Sequence, residues 1–198
     1  MSDMALEIPI RPITVDEYHR MVRARIIRDD ERIELLGGML VEMPPLGQSH
    51  IAAHTRIVQY LIERFGYRLL VSGQASIPLT PTDEPEPDIS LFLPETFDKP
   101  KSQWTASDVV ALIEISDSSL RRDLGPKLRA YSRGGIAEYL VVDLSRPRLI
   151  RHLDPDGNSY RRIDELSCGE DFTLLRCPDV SLEVSAFLPP AAQRAAAD

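Results

Sequence analysis

Two stretches of the chain are apolar at almost every position: VVALIEIS at 109–116 and AEYLVVDL at 137–144. Continuous apolar runs of this length read as strands covered on both faces. Upstream, the period lengthens. Thr14-Val-Asp-Glu17 is a capping box and predicts a helix over about 14–27. RIELLGGMLVEM, 32–43, predicts two short strands around Gly37-Gly38, stopped by Pro44-Pro45. Ile51, Ile57, Val58, Leu61, Ile62 and Phe65 approximate one face of a helix over 49–65 that Gly66 ends. Strands follow near 68–79 and 88–93, separated by the proline-rich PTDEPEP. A third helix begins near Asp123, with Pro126 in its first turn and Gly134-Gly135 after it. RLIRHLD and YRRIDEL flank Pro155-Asp-Gly-Asn158, a hairpin turn. This order predicts an α/β domain, a central mixed β-sheet flanked by helices, with an added N-terminal helix and hairpin.

Composition narrows the class. The chain has 198 residues, which suits one domain, expected over 1–188, with 189–198 a flexible tail. No apolar run reaches the ~20 residues that span a bilayer. The start, MSDMALEIPIRP, lacks a basic region before an apolar stretch, so no signal peptide is expected. Cys168 and Cys177 form no C-x-x-C pair and read as reduced thiols, consistent with a cytoplasmic protein. The net charge of −8 argues weakly against nonspecific coating of nucleic acid. Locally the sign reverses: residues 121–133 carry Arg121, Arg122, Lys127, Arg129 and Arg133 against only Asp123.

Candidate chemistry centres on Glu114, set among Leu112, Ile113 and Ile115. A carboxylate there loses hydration and needs a cation or a full set of hydrogen bonds. Asp88 opens the strand PDISLFL, and neighbouring strands lie about 4.8 Å apart, so the two acids can stand side by side. A Mg²⁺ between them would remove their repulsion. Asp123, Lys127 and Tyr131 are spaced four and four, which puts Lys127 on a helix face that can return toward Glu114 and Ser116. Plainer readings stand beside these. Glu114 could form a structural ion pair, and Asp88 could be a solvated residue of an acidic loop with Asp83, Glu84 and Glu86. Asp123 reads better as a helix N-cap, and Tyr131 as a partly buried packing residue. His50 and His54 have a zinc-compatible spacing but no third ligand nearby.

ELLGG (34–38), GQSHIAAHTRIVQYL with His50, EPEPDISLF (84–92) and ALIEISDSSLRRDLGPKLRAYSRGGIAEYLVVD (111–143) together resemble the Uma-two family. These are restriction-endonuclease-like proteins of the PD-(D/E)xK nuclease superfamily. The resemblance covers roughly 12 to 188. It implies a restriction-endonuclease-like fold and Mg²⁺-dependent cleavage of DNA, with Mn²⁺ as a substitute. It implies metal ligands at Asp88 and Glu114, the Ile115 carbonyl as a third, and an additional acid at Glu34. The superfamily pattern puts lysine two residues after the acid, where this chain has Ser116. Lys127, on the following helix, fits the displaced lysine. Ser116, Arg121, Arg122 and His50 are the candidate substrate contacts. The expected protein is thus a DNA endonuclease, acting as a homodimer through sheet edges and strand 137–144. The alternatives are a nuclease-fold binding or assembly module without turnover, and a hydrolase of another phosphoester.

Overall fold

The two apolar runs become the centre of a six-stranded sheet. The computed structural model describes residues 10–28 and 30–189. The N-terminal elements are α1 (Val15–Arg23), β1 (Ile33–Leu36), β2 (Met39–Glu42) and α2 (Gln48–Phe65). The sheet strands are β3 (Leu70–Gly73), β4 (Ile89–Phe92), β5 (Val109–Ser116), β6 (Glu138–Asp143), β7 (Arg148–Pro155) and β8 (Tyr160–Leu166). Between β5 and β6 runs a helical segment: α3 (Leu120–Arg122), a π turn over Asp123–Lys127, and α4 (Leu128–Arg133). β9 (Asp171–Leu174) and β10 (Cys177–Glu183) close the chain.

The sheet order is β3-β4-β5-β6-β7-β8. Only β5 and β6 are parallel, so the sheet is mixed. A parallel pair needs a crossover, and the α3–π–α4 segment supplies it. Alternation along β5 divides its side chains. Ile113 and Ile115 join the core packed with Ile57, Leu61 and Phe65 of α2 and with Phe172 and Leu182 of the last hairpin. Leu112 joins the opposite core, with Leu128 and Tyr131 of α4 and with Tyr139, and a register shift at the start of β5 brings Val109 to the same side. Glu114 and Ser116 share the parity of Leu112, so they face the α3–π–α4 segment. Asp88 precedes Ile89, whose register partner is Ile113, and therefore reaches toward Glu114.

Several expectations change. α1 stops at Arg23 and buries no side chain. The strand expected over 68–79 shortens to β3: Gln74, directly after it, takes a φ of +50° that no strand continues, and Pro78 has no N–H to donate to a ladder. The proline-rich strap that follows instead pairs with β1, through Glu84 N–H donating to Leu35 at 2.8 Å. The third helix begins three residues early, at Leu120. On α2 the buried stripe is His50, Ala53, Ile57, Leu61 and Phe65, while Ile51 and Ile62 are exposed. The 171–183 hairpin was not expected; its apolar alternation is broken by Pro178 and Asp179. β6 lies inside the sheet, so run 137–144 is core and offers no dimer surface. Both cysteines are free thiols. Among the described residues no helix is long and apolar enough to cross a membrane. The tail expected over 189–198 lies outside the described residues except for Pro189.

Candidate active site

The site is assembled from four elements that meet at the C-terminal end of β5. β5 supplies Glu114 and the start of β4 supplies Asp88. The hairpin supplies Glu34, and the π turn supplies Lys127. Each is held by local structure. Asp88 Oδ2 accepts the Ile115 backbone N–H at 2.7 Å, so this acid is tied across to β5. His50, one turn into α2, donates to the same oxygen at 2.9 Å. His54, one turn on, reaches the Asp88 carbonyl at 3.1 Å. Both histidines therefore serve Asp88 and do not form a ligand pair.

Glu114 is 2% exposed and Lys127 is 1% exposed. Lys127 Nζ donates to Glu114 Oε1 at 2.7 Å and to the Glu86 carbonyl at 2.9 Å, and it lies 3.3 Å from Glu34 Oε2. The Tyr131 hydroxyl donates to the same Glu114 oxygen. Tyr131 is fully buried, more than the sequence implied, and its hydroxyl is part of the cluster. Glu34 is also fully enclosed; its Oε2 accepts the Glu86 N–H at 3.1 Å. The hairpin that carries it is fixed from its tip. Gly37 N–H donates to Asp83 Oδ1 at 2.6 Å, and Arg133 from α4 grips the same carboxylate.

The charges do not balance within the cluster. Glu34, Asp88, Glu114 and Asp123 surround Lys127, with Arg122 at the edge. Burial, and then Asp88, Asp123 and Glu34, push the Glu114 carboxyl well above its ordinary value against the pull of Lys127. Burial works against the Lys127 charge, but Glu114, Glu34, Asp88 and Asp123 outweigh it and raise its pKa. Both groups thus hold their protons more tightly, as a cluster with excess negative charge must. Asp88 differs. Burial raises its carboxyl, yet His50, Lys127 and the Ile115 amide together hold it below the usual range.

A cavity of about 140 Å³ opens onto Asp88 and Lys127, walled by Pro44-Pro45 after the hairpin and by the loop from Asp117 to Ser119. His50 and Arg122 also line it. Arg121 is exposed and faces an outer groove instead. Ser116 is fully buried and donates to Asp123 Oδ2 at 2.6 Å, so its hydroxyl does not face the cavity. Asp123 is not the N-cap: Ser119 holds that position, and Asp123 sits in the π turn, taking the Ser116 and Ser119 hydroxyls. The Glu86 carbonyl and Arg32, which lies 3.6 Å from the Glu86 carboxylate, belong to the site and carry no sequence signal beyond their place in polar stretches.

Residues 15–185 match the profile of the Uma2 (Uma-two) family, described as "Putative restriction endonuclease". The chain belongs to the Uma2 family. No curated protein matches the chain. Among solved structures, it is similar to "a putative nuclease belonging to DUF820 from Anabaena variabilis ATCC 29413". That likeness has a TM-score of 0.67 at 14% identity and covers 89% of this chain and 98% of the other. At that identity it shows the fold, the mixed sheet described above. The family's description points to a nuclease.

As to a metal, no group of three or more His, Cys, Asp or Glu side chains is arranged to hold one among the described residues. A zinc-type site is therefore not built here. Two carboxylates with a backbone carbonyl suit Mg²⁺, which binds through one or two acids and keeps waters. The surplus of negative charge around Glu114 favours a cation at the same place.

Proposed function

We propose that this Uma2 protein is a Mg²⁺-dependent DNA endonuclease acting in the cytoplasm, with Asp88, Glu114 and Lys127 as its centre. The observation that carries this reading is their convergence. Asp88 and Lys127 line one cavity and Lys127 in turn binds the buried Glu114, though 26 positions separate Asp88 from Glu114 and 13 separate Glu114 from Lys127 in sequence. Asp88 and Glu114 would hold the metal, with the Ile115 carbonyl as a third oxygen. Bound there, Mg²⁺ supplies a Lewis acid for the phosphate and a lowered pKa for a water.

The chain's own groups do the rest. Lys127 uses two of its three N–H donors on Glu114 and the Glu86 carbonyl. Its third, with Glu34 Oε2 3.3 Å from the nitrogen, would turn between that acid and a water or phosphate oxygen in the cavity. His50 and the Ile115 amide fix the Asp88 carboxylate in its charged form. Tyr131 fixes one oxygen of Glu114. Glu34 lies close enough to Lys127 to restrain the ammonium from the hairpin side. A homodimer that sets two such sites on one duplex would use a surface other than β6, which is internal, and the edge strands β3 and β8 are the sheet's candidates.

The test is plasmid cleavage with Mg²⁺ or Mn²⁺. Asp88→Ala, Glu114→Ala and Lys127→Ala should each lose at least about 100-fold in rate. Unchanged cleavage in all three rejects the assignment. A second reading, a nuclease-fold module without turnover, is favoured by the net charge of −8. Absence of wild-type cleavage on duplex and single-stranded DNA, RNA and nucleotides, together with no Mn²⁺ binding, would support it.

A further inference from the structure

Four buried polar atoms of the site lack a hydrogen bond among the described residues: His50 Nδ1 on one side, and Glu34 Oε1, Arg122 Nε and Asp123 Oδ1 together on the other. The last three lie together. Arg122 Nε lies 3.6 Å from Asp123 Oδ1 and 4.0 Å from Glu34 Oε1. Both carboxylates are otherwise anchored. Glu34 Oε2 takes the Glu86 amide, and Asp123 Oδ2 takes two serine hydroxyls. Buried polar atoms are almost always paired, so three orphans around one point call for an explanation.

The arrangement is a guanidinium suspended between two fixed acids, just beyond bonding distance of either. Its side chain is 22% exposed, and it lines the cavity that holds Asp88 and Lys127. The planar fork of arginine matches the oxygens of a phosphate. We propose that Arg122 grips the phosphate of the substrate, and that Asp123 and Glu34 are its positioning residues. This inference rests on the nuclease reading for its substrate. With its terminal nitrogens on a phosphate, the side chain keeps Nε toward Asp123, 3.6 Å away, so that a small shift as the substrate seats completes a charge-assisted bond there. Ser116 and Ser119 then act at one remove, by holding Asp123. They account for a serine where the superfamily pattern has lysine: its hydroxyl orients the acid that orients the arginine.

The probe is thymidine 3′,5′-bisphosphate, titrated calorimetrically in Ca²⁺ so that binding is read without turnover. Arg122→Ala should weaken binding by about 10–100-fold, the range of a charge-assisted bond. Arg122→Lys should fail similarly, because an ammonium cannot reproduce the fork, while its retained charge and stem keep the fold. Asp123→Asn should fall between these and wild type. Arg129→Ala, an exposed position on α4, serves as the control. In the cleavage assay, added guanidinium should restore Arg122→Ala several-fold, and less so when Asp123→Asn is also present. A purely structural role would show no such rescue. Unchanged bisphosphate affinity in both Arg122 variants, or no binding by wild type, overturns the inference. Binding with these losses, but no cleavage of any DNA by wild type, sinks the nuclease reading and leaves this one standing.

Discussion

Glu114→Gln separates a structural ion pair from an acid cluster strained for function. If Glu114 were only the partner of Lys127, removing its charge would leave a buried ammonium short of a counter-ion and cost about 3–5 kcal/mol. The surroundings argue for a different result. Glutamine keeps a carbonyl oxygen to accept from Lys127 and Tyr131, and Glu34 remains 3.3 Å from the ammonium. The carboxyl itself is held well above its ordinary value of 4.5 by burial and by Asp88, Asp123 and Glu34. A raised pKa means the folded protein binds a proton that the unfolded chain releases. The stability linked to Glu114 is therefore complete below about pH 4.5 and declines as pH rises through the folded pKa. Within that window the decline approaches about 1.4 kcal/mol per pH unit. Glutamine has no such slope. Urea denaturation of metal-free protein at pH 5, 6 and 7 should show the variant gaining on wild type as pH rises. For a chain of this size each pH unit inside the window corresponds to a relative Tm shift of roughly 3–6 °C. The same variant should lose cleavage. A deficit of about 3–5 kcal/mol that stays constant across that pH range would refute the reasoning and return Glu114 to an ordinary salt bridge.

Two further outcomes follow from the scaffold. Asp83→Asn should destabilise by about 1.5–3 kcal/mol at pH 7, since Asp83 accepts from Gly37, Thr80 and Arg133. Burial raises the Asp83 carboxyl, but Arg133, Thr80 and the Gly37 amide outweigh it and hold it below 3.8. Its stability is present above that value and lost as pH falls through the folded pKa, so the gap between variant and wild type should close in acid denaturation. A gap independent of pH would contradict this. Gly38→Ala places a Cβ 2.3 Å from the Pro12 Cβ, at a residue with φ +75°. Thermal unfolding should show a loss of about 1–3 kcal/mol, and an unchanged Tm would mean that the Pro12 strap yields freely.

Much of the site was readable because its residues violate their surroundings. One acid in an otherwise apolar strand had to be compensated, and an aspartate at the mouth of the neighbouring strand was the nearest candidate. Spacings of four along 123–131 put Lys127 and Tyr131 on one face, and both do meet Glu114. What sequence did not disclose depends on contacts between distant segments. His50 meets Asp88 across 38 positions, and Lys127 binds a backbone carbonyl, which no side-chain pattern encodes. Asp123 looked like a cap because it precedes Gly125-Pro126; a helix entered earlier, at Leu120, turns it inward instead. The stripe on α2 was misjudged because His50 and Ala53 are buried and two isoleucines are not. The 171–183 hairpin escaped notice because Pro178 and Asp179 interrupt its alternation.

The widened turn at Asp123–Lys127 sets a constraint on length. One surplus residue advances everything downstream by about 100° around the axis relative to a regular spiral. Excising a single amino acid between 123 and 127 would restore ideal winding and swing the amine from the acids toward solvent, even with every other side chain intact. Insertions and deletions should therefore be tolerated at the hairpin tip around Gly157 yet be ruinous here. In this short segment the count of residues matters as much as their identity.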